Sequence, residues 1–186
     1  MKNILIPAIL LQGFVALGQT SAEGEKGNNH TLPTQDWNTL NHPSYSIQYP
    51  PTWELNEGGL MGTRFILFSS LESDKDQFKE NVNLIIQDLS GLEINLNQYT
   101  ELSEGQIKLL VTNAALIDSK RIQNGSEEYH KIIYSGDQGI FHFIFEQFYW
   151  VTPDQAFVLT FTCEKDKFED FKALGERILL SFSLKK

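Results

Sequence analysis

The sequence has a single cysteine and few basic residues. Cys163 has no second cysteine to pair with, so no disulfide can form within the chain and the domain must be stable through its core alone. Against 24 Asp and Glu there are 15 Lys and Arg, which gives a formal net charge of −9. Binding to phosphate backbones or anionic membrane surfaces needs clustered basic side chains, so this balance argues against nucleic acid and membrane surfaces as partners.

The common catalytic and metal-binding motifs are also missing. The chain contains no phosphate loop ending in Lys-Ser/Thr, no His-Glu-x-x-His, no Gly-x-Ser-x-Gly and no Cys-x-x-Cys. Nothing near Cys163 would lower the pKa of its thiol, so we expect a buried small apolar residue there and not a nucleophile. The sequence therefore predicts a protein that is not an enzyme and that needs no cofactor or metal ion.

Long apolar runs are confined to the first residues of the chain. Lys2 precedes apolar runs at 4–11 and 14–17, and small residues follow. This pattern predicts a signal peptide over residues 1–22, cleaved after Gly18 or after Ala22. The runs are shorter than the ~20 apolar residues that a membrane span needs, and no cysteine near the cleavage site could carry a lipid anchor. We therefore expect a secreted or periplasmic protein that is not inserted into a membrane after cleavage.

The composition divides the remaining chain into a leader and one domain. Residues 23–41 are polar, with Gly, Asn and Pro and few apolar side chains, which is typical of a flexible leader. Residues 42–186 have the length of a single domain with one core.

Alternating apolar and polar residues predict seven strands. They are 45–49, 64–69, 81–89, 115–123, 127–135, 138–151 and 155–163. The first is expected at an edge, because Pro50 and Pro51 remove the backbone donors that would continue it. Asn124-Gly125 and Gly136-Asp137 are predicted to form the turns on either side of the fifth strand.

Two segments change to helical spacing. Residues 95–113 predict a helix capped by Asn97, with Tyr99, Leu102, Gln106, Leu109 and Leu110 recurring at steps of three and four. A terminal helix capped by Asp166 carries a predicted core-facing stripe, formed by Phe168, Phe171, Leu174, Ile178, Leu179 and Phe182. A strand-rich middle with one internal and one terminal helix indicates an α+β fold, an antiparallel sheet with helices packed on it.

Three segments resemble the PsbP/Mog1 superfamily. They are Tyr-Ser-Ile-Gln-Tyr-Pro-Pro-Thr-Trp at 45–53, Asn-Val-Asn-Leu-Ile-Ile at 81–86, and the ending from Phe-Val-Leu-Thr-Phe-Thr at 157–162 to Ile-Leu-Leu-Ser-Phe at 178–182. The resemblance spans nearly all of 43–184. It implies an α/β/α sandwich, a central antiparallel sheet of about six or seven strands with helices on both faces. It also implies an accessory or binding role, because some members serve photosystem II, one acts on a nuclear GTPase, and many exported bacterial members have no assigned activity.

Two local patterns keep other functions open. Glu128 and His130 share one face of a predicted strand and, with His142 from the next strand, could hold a metal ion or a small ligand. The run 140–150 has apolar side chains on both faces. It is either a central strand covered by helices, or a strand whose end near Phe148 and Trp150 offers an aromatic binding surface.

The function expected from the sequence is therefore that of an exported binding or accessory protein of the cell envelope that engages a protein partner. The alternative is a metal- or ligand-dependent protein or enzyme with dispersed residues such as Glu128, His130 and His142. A carrier of small molecules with an apolar pocket between sheet and helix is a third interpretation.

Overall fold

A computed structural model of the chain describes residues 36–125 and 127–185, which contain ten strands and two helices. The strands are β1 Asn38–Asn41, β2 Tyr45–Tyr49, β3 Glu54–Asn56, β4 Phe65–Phe68, β5 Asn81–Asp88, β6 Thr112–Asn124, β7 Glu127–Gln138, β8 Phe141–Val151, β9 Gln155–Glu164 and β10 Ser183–Leu184. The helices are α1 Leu96–Leu110 and α2 Phe168–Leu180. The signal peptide predicted over 1–22 lies outside the described residues. Neither helix of the described part is long and apolar enough to cross a membrane.

Seven strands form one antiparallel sheet in the order β3-β4-β5-β9-β8-β7-β6. All seven strands predicted from the alternation are present. Six of them lie in this sheet, and β3, which was not predicted, completes it at one edge. The prediction that 81–89 is a central strand is confirmed, since β5 pairs with β4 on one side and β9 on the other.

The two faces of this sheet are covered by different helices. Along β9, Phe157, Leu159 and Phe161 pack with α2 on one face, whereas Ala156 and Val158 pack with α1 on the other. This alternation follows from the period of two in a strand, and it means that both sheet faces are apolar and need cover. The α+β fold with helices on both faces of an antiparallel sheet is confirmed.

A second, three-stranded sheet with the order β1-β2-β10 packs on the α2 side. It corrects two predictions. β1 is paired with β2, and Trp37 before it is buried with its ring 4.7 Å from Arg177 of α2, so the domain begins before residue 42. β2 is the middle strand of this sheet and not an edge, because Pro50 and Pro51 end it lengthwise but do not prevent pairing at its sides. The remainder of the predicted leader, 23–35, lies outside the described residues.

Both helices begin differently from the prediction. Asn95, not Asn97, caps α1: its Oδ1 accepts a hydrogen bond from the backbone N–H of Gln98, and the Gln98 side chain accepts one from the Asn95 backbone N–H. α2 follows a 3-10 turn at Lys165–Lys167 and has no side-chain cap, so Asp166 does not cap it. The predicted stripe of the terminal helix does face the core, with Ile178, Leu179 and Phe182 buried and the other three partly buried.

The turn between β7 and β8 also differs from the prediction. Gly125, with φ +61°, lies between β6 and β7 as predicted. The next turn is at Gly139, with φ +62°, because Gln138 still pairs with Phe141. Gly136 lies within β7, where a Cβ atom would come 2.1 Å from Cγ1 of Val111. That glycine is needed for close approach, not for a turn.

Gly175 allows α2 to approach the sheet, and we predict that Gly175→Ala destabilises the domain. A Cβ atom there would lie 2.5 Å from the Phe161 ring, which is fully buried and has no room to move. Overpacking costs about 1–3 kcal/mol, and the gain in helix propensity of ~1 kcal/mol offsets only part of it. Urea unfolding of Gly175→Ala and wild type measures the difference in their free energies of unfolding.

Gly105→Ala in α1 is the matched control. A Cβ atom at Gly105 meets nothing within 4 Å, so this variant is expected to be stabilised by up to ~1 kcal/mol. Equal stability of the two alanine variants would contradict the close contact between Gly175 and Phe161.

Candidate functional site

The structure does not bring Glu128, His130 and His142 together. Glu128 and His130 share the α1 side of β7, where Glu128 lies 3.7 Å from Arg121. His142 is on the α2 side of β8, paired with Asp137, and its Nδ1 lies 2.6 Å from that carboxylate. His130 is opposite Tyr149, so seven positions, roughly 23 Å at about 3.3 Å per residue, separate it from His142 along the ladder. Among the described residues no group of three His, Cys, Asp or Glu is placed to hold a metal ion.

His130 instead belongs to a hydrogen-bonded chain that fastens α1 to the sheet edge. Ser119 Oγ lies 2.6 Å from Oε1 of Glu104 in α1 and 2.8 Å from His130 Nε2. The carboxylate can only accept, so the hydroxyl hydrogen goes to Glu104 and Nε2–H of His130 donates to Ser119. Burial lowers the pKa of His130 and Arg121 adds to this effect, whereas Glu104 and Asp118 act in the opposite direction. The lowered pKa favours the neutral imidazole, and in this arrangement its Nε2 carries the hydrogen that is donated to Ser119 and does not accept the hydroxyl hydrogen.

The aromatic end of β8 is part of the core and not a binding surface. Phe148 and Trp150 are both buried on the α2 side. The ring of Phe148 stacks on Tyr129 at 4.9 Å, and that of Trp150 packs on Phe182 at the same distance. Of the two interpretations of the run 140–150, the covered central strand is confirmed, and the prediction of an aromatic surface at Phe148 and Trp150 is wrong.

Cys163 lies beside a group of charged side chains at the start of α2. It is buried, as predicted, with Sγ 3.9 Å from Oε1 of Glu80. Burial raises the pKa of the Cys163 thiol, and the Glu80 carboxylate adds to this effect, so the thiol stays protonated. This environment opposes a nucleophilic role.

Lys167 is surrounded by four carboxylates, a set that we call the Lys167 cluster. The Lys167 Nζ atom lies 2.9–4.0 Å from oxygens of Glu72, Asp76, Glu80 and Glu164. Glu80 is fully buried and the Asp76 side chain almost fully. The cluster ties the 70–80 connection to the end of β9, and the lysine is the only cation among these five side chains.

A second buried charge joins the sheet to α2. Nζ of Lys131 on β7 lies 2.5 Å from Oε1 of Glu146 on β8 and 2.6 Å from Oε1 of Glu176 on α2. The Glu146 side chain is 2% exposed. Burial raises the pKa of Glu146, while the hydrogen bond and charge of Lys131 oppose that rise. The lysine forms an ion pair with each of the two carboxylates, which indicates a structural role.

Three leucines of α1 are exposed, Leu102, Leu109 and Leu110, and we define the first two as the leucine flank. The buried side of α1 consists of Leu96, Tyr99, Thr100, Ser103 and Ile107. The predicted stripe is therefore correct at Tyr99 and partly so at Gln106, which is half-buried, but Leu102, Leu109 and Leu110 are 40%, 80% and 46% exposed. Leu102 and Leu109 are seven residues apart and lie on the same side of the helix, two turns from each other.

The direction of the leucine flank follows from the contacts of the opposite flank. Asn97 Oδ1 accepts a hydrogen bond from Arg121 of the edge strand β6, at 2.5 Å, and Glu104 bonds to Ser119 of the same strand. At about 100° per residue, Leu102 and Leu109 each lie roughly 140° around the helix from these side chains. The leucine flank therefore faces away from β6.

Strands β5, β9 and β8 carry a group of buried polar side chains, the polar floor, which we define as Asn81, Asn83, Gln147, Thr160 and Thr162. The register places Asn81 opposite Thr162 and Asn83 opposite Thr160, with Gln147 next to Thr160 on β8. All five are at most 3% exposed. The strand alternation shows that these positions point to the α1 side, but their clustering depends on a register that no single strand reveals.

Comparison with solved structures shows the same fold in other proteins. The cyanobacterial PsbP protein (CyanoP) from Synechocystis matches with a TM-score of 0.57 and 15% identity, over 86% of this chain and 98% of that one. LpqN from Mycobacterium tuberculosis, described as involved in cell envelope biogenesis, matches with a TM-score of 0.61 and 14% identity, over 81% and 92% of the two chains. The protein PA94 from Pseudomonas aeruginosa matches with a TM-score of 0.55 and 8% identity, over 81% and 98%.

At these identities the matches establish a PsbP-like fold, as the resemblance implied. No family model matches the chain, and no curated protein matches it.

Proposed function

We propose that this chain is an exported accessory protein of the cell envelope that has no catalytic activity and binds a protein partner through the leucine flank of α1. The observation that carries the proposal is the 80% exposure of Leu109, two turns from Leu102 on the same side of a well-formed helix. Single exposed leucines are ordinary on protein surfaces. Two at a spacing of seven, on the flank of an anchored helix, match the spacing of anchor residues in recognition between a helix and a groove.

The charge distribution around the leucine flank favours a partner with a basic rim. Glu101 and Glu104 lie on the same helix, and Lys108 is the only basic residue in its sequence. The whole chain has a formal charge of −9. Complementary charge speeds association and makes the association rate sensitive to salt, so a partner with an apolar centre and surrounding Lys or Arg is expected.

Three observations support an envelope location and a role outside catalysis. The apolar run after Lys2 has the pattern of an export signal. LpqN, which shares the fold, is described as taking part in cell envelope biogenesis. The one Ser–His pair described above has its hydroxyl hydrogen directed to Glu104, and the histidine is buried and donates to that hydroxyl.

The leucine flank is expected to cross-link to a partner in a position-specific way. A photoreactive phenylalanine analogue at Leu102 or Leu109 should form one discrete adduct in the envelope fraction of the source organism, because these side chains would sit at the interface. Leu180 is the matched control, since it is 58% exposed but lies on α2, on the opposite face of the sheet. Equal adducts from all three positions, or none from the leucine flank, would rule the proposal out.

We predict that Leu109→Glu weakens binding of the partner identified by cross-linking about tenfold or more, whereas Leu180→Glu leaves the affinity unchanged. Burying a charge in an apolar contact without a counter-charge opposes association. Calorimetric titration at two salt concentrations measures the effect, and circular dichroism confirms that both variants fold. An unchanged affinity for Leu109→Glu would place the interface elsewhere.

A further inference from the structure

The large sheet ends in two edges of very different length. β3, at one edge, has three residues, whereas β6, at the other, has 13. Within residues 36–125 and 127–185, β6 pairs only with β7, so the backbone N–H and C=O groups on its outer side have no strand to bond to. β6 contains no proline, and an unpaired edge of this length is a template for a further strand.

The regular part of β6 begins at Asp118. Two register shifts interrupt the ladder with β7 within 112–118, and from Asp118 to Asn124 the pairing is continuous. Bulges protect an edge against pairing, so a further strand is expected over the continuous part. Two apolar side chains lie just before it, Ile117, which is 56% exposed, and Leu116, which is 39% exposed.

We propose that two copies of this chain pair through β6, antiparallel, about a two-fold axis that passes through Ser119 perpendicular to the sheet. In a regular edge strand only alternate residues direct their N–H and C=O groups outwards, and only such residues can bond to a neighbouring copy. A symmetric pairing of two identical edges must therefore be centred on a residue and not between two residues. Each copy contributes the same patch, as in other two-fold interfaces.

The charges of β6 favour Ser119 as the centre. An axis there places Asp118 of each copy opposite Lys120 of the other, so two pairs of opposite charge form. Within one chain these two side chains are 3.0 Å apart, both more than a third exposed, and they point to the same face of the sheet. An axis through Lys120 or Arg121 would instead place two like charges directly opposite each other, which is destabilising.

The dimer is expected to be weak and independent of the leucine flank. The ladder between the copies is short, so the interface lies at the low end of protein interfaces, with a Kd in the micromolar to millimolar range. Each chain has a formal charge of −9, but at physiological ionic strength charges farther apart than about 8 Å are largely screened, while touching pairs still attract. The leucine flank faces away from β6, so both surfaces can be occupied at once.

Exchange of the two charges tests the register. Asp118→Lys makes both positions basic and Lys120→Glu makes both acidic, so each variant alone should associate about tenfold more weakly than wild type. An equimolar mixture of the two variants should recover the association, since every basic residue then faces an acidic one. Sedimentation equilibrium at chain concentrations up to about 1 mM measures the effect. Leu109→Glu is the control and should dimerise like the wild type.

A cysteine at the axis tests the geometry. Cα atoms opposite each other in an antiparallel pair are about 4.5–5.5 Å apart, within the range that a disulfide spans. Ser119→Cys should therefore form a disulfide-linked dimer on air oxidation, whereas Asn124→Cys, at the far end of β6, should not. The native Cys163 is buried, so it adds little background.

Three results would overturn the proposal. A chain that stays monomeric at the highest concentration has no such interface. A dimer that survives either charge variant, or a mixture that does not recover the association, places the contact elsewhere or in another register. A photoreactive analogue at Ile117 that captures a different envelope protein and no second copy would assign the edge to a strand of a partner. None of these results bears on the leucine flank, whose cross-linking at Leu109 the charge variants should leave unchanged.

Discussion

Replacing Lys131 by methionine is expected to lower the free energy of unfolding by about 3–5 kcal/mol. Nζ of Lys131 is 2.5 Å from Glu146, whose side chain is only 2% exposed. The methionine fills the space but leaves that carboxylate enclosed without a counter-charge, with Glu176 close by as a like charge. Urea unfolding at pH 7 measures the loss.

The loss should depend on pH in a defined direction. Burial already raises the pKa of Glu146, and removal of Lys131 takes away the charge that opposes this rise. Between the unfolded pKa of about 4.3 and the raised folded value, the native state holds a proton that the unfolded state releases, so stability falls as the pH rises. The deficit of the variant should therefore be smaller at pH 4.5 than at pH 8.

Lys120→Met provides the control for Lys131→Met. Lys120 is the cross-strand neighbour of Lys131, and its partner Asp118 is 3.0 Å away, but both side chains are more than a third exposed. An exposed pair is worth no more than ~1 kcal/mol, so this variant should unfold almost like the wild type. Similar losses for Lys120→Met and Lys131→Met would contradict the role given to burial.

Lys167→Met is expected to cost about 3 kcal/mol, toward the lower end of the range for buried pairs because Lys167 is itself 23% exposed. The variant leaves four carboxylates within one cluster and no cation among them. Lys172→Met is the control, since its partner Glu169 is also on α2 and both side chains are exposed. A loss of less than ~1 kcal/mol for Lys167→Met would show that the carboxylates separate freely in solvent.

The acid side of the stability curve tests the same cluster. Burial by itself would raise the pKa of Asp76, but hydrogen bonds from Lys167 and from the backbone N–H groups of Glu72 and Phe78, together with the lysine charge, lower it overall. The stabilisation from Asp76 is therefore complete above its unfolded pKa of about 3.9 and is lost as the pH falls through the lowered folded pKa. The difference in the free energy of unfolding between wild type and Lys167→Met should therefore become smaller below about pH 4.

The strands of the large sheet were predictable because each is long enough to show its period. β1, β3 and β10 have two to four residues and lie largely at exposed or half-buried positions, so no alternation marks them. The capping box of α1 is visible in the sequence as Asn95-x-x-Gln98, a stronger signal than the later Asn97. At the second helix a 3-10 turn replaces the side-chain cap, and no residue pattern indicates that choice.

The interior charges and the polar floor could not be predicted from the sequence. Lys167 and Glu72 are 95 positions apart, and Asn83 and Thr160 meet only because β5 and β9 pair in one register. The strand pattern does give the face to which each side chain points. It does not give the neighbour of a residue on the next strand. Nor does it show whether a given helix face is covered or, like the leucine flank, exposed.

The small sheet ties distant parts of the chain together. Ser46 pairs with Ser183, and the backbone N–H of Lys185 donates to the carbonyl of Ser44. A nascent chain that has reached only Leu180 contains all seven strands of the large sheet but lacks β10, the strand that completes the small sheet on the α2 side. Contacts at such long separation in sequence slow the search for the native state. The small sheet is therefore completed only when residues 183–185 are present, and a chain that stops at Leu180 leaves β2 without one of its two neighbouring strands.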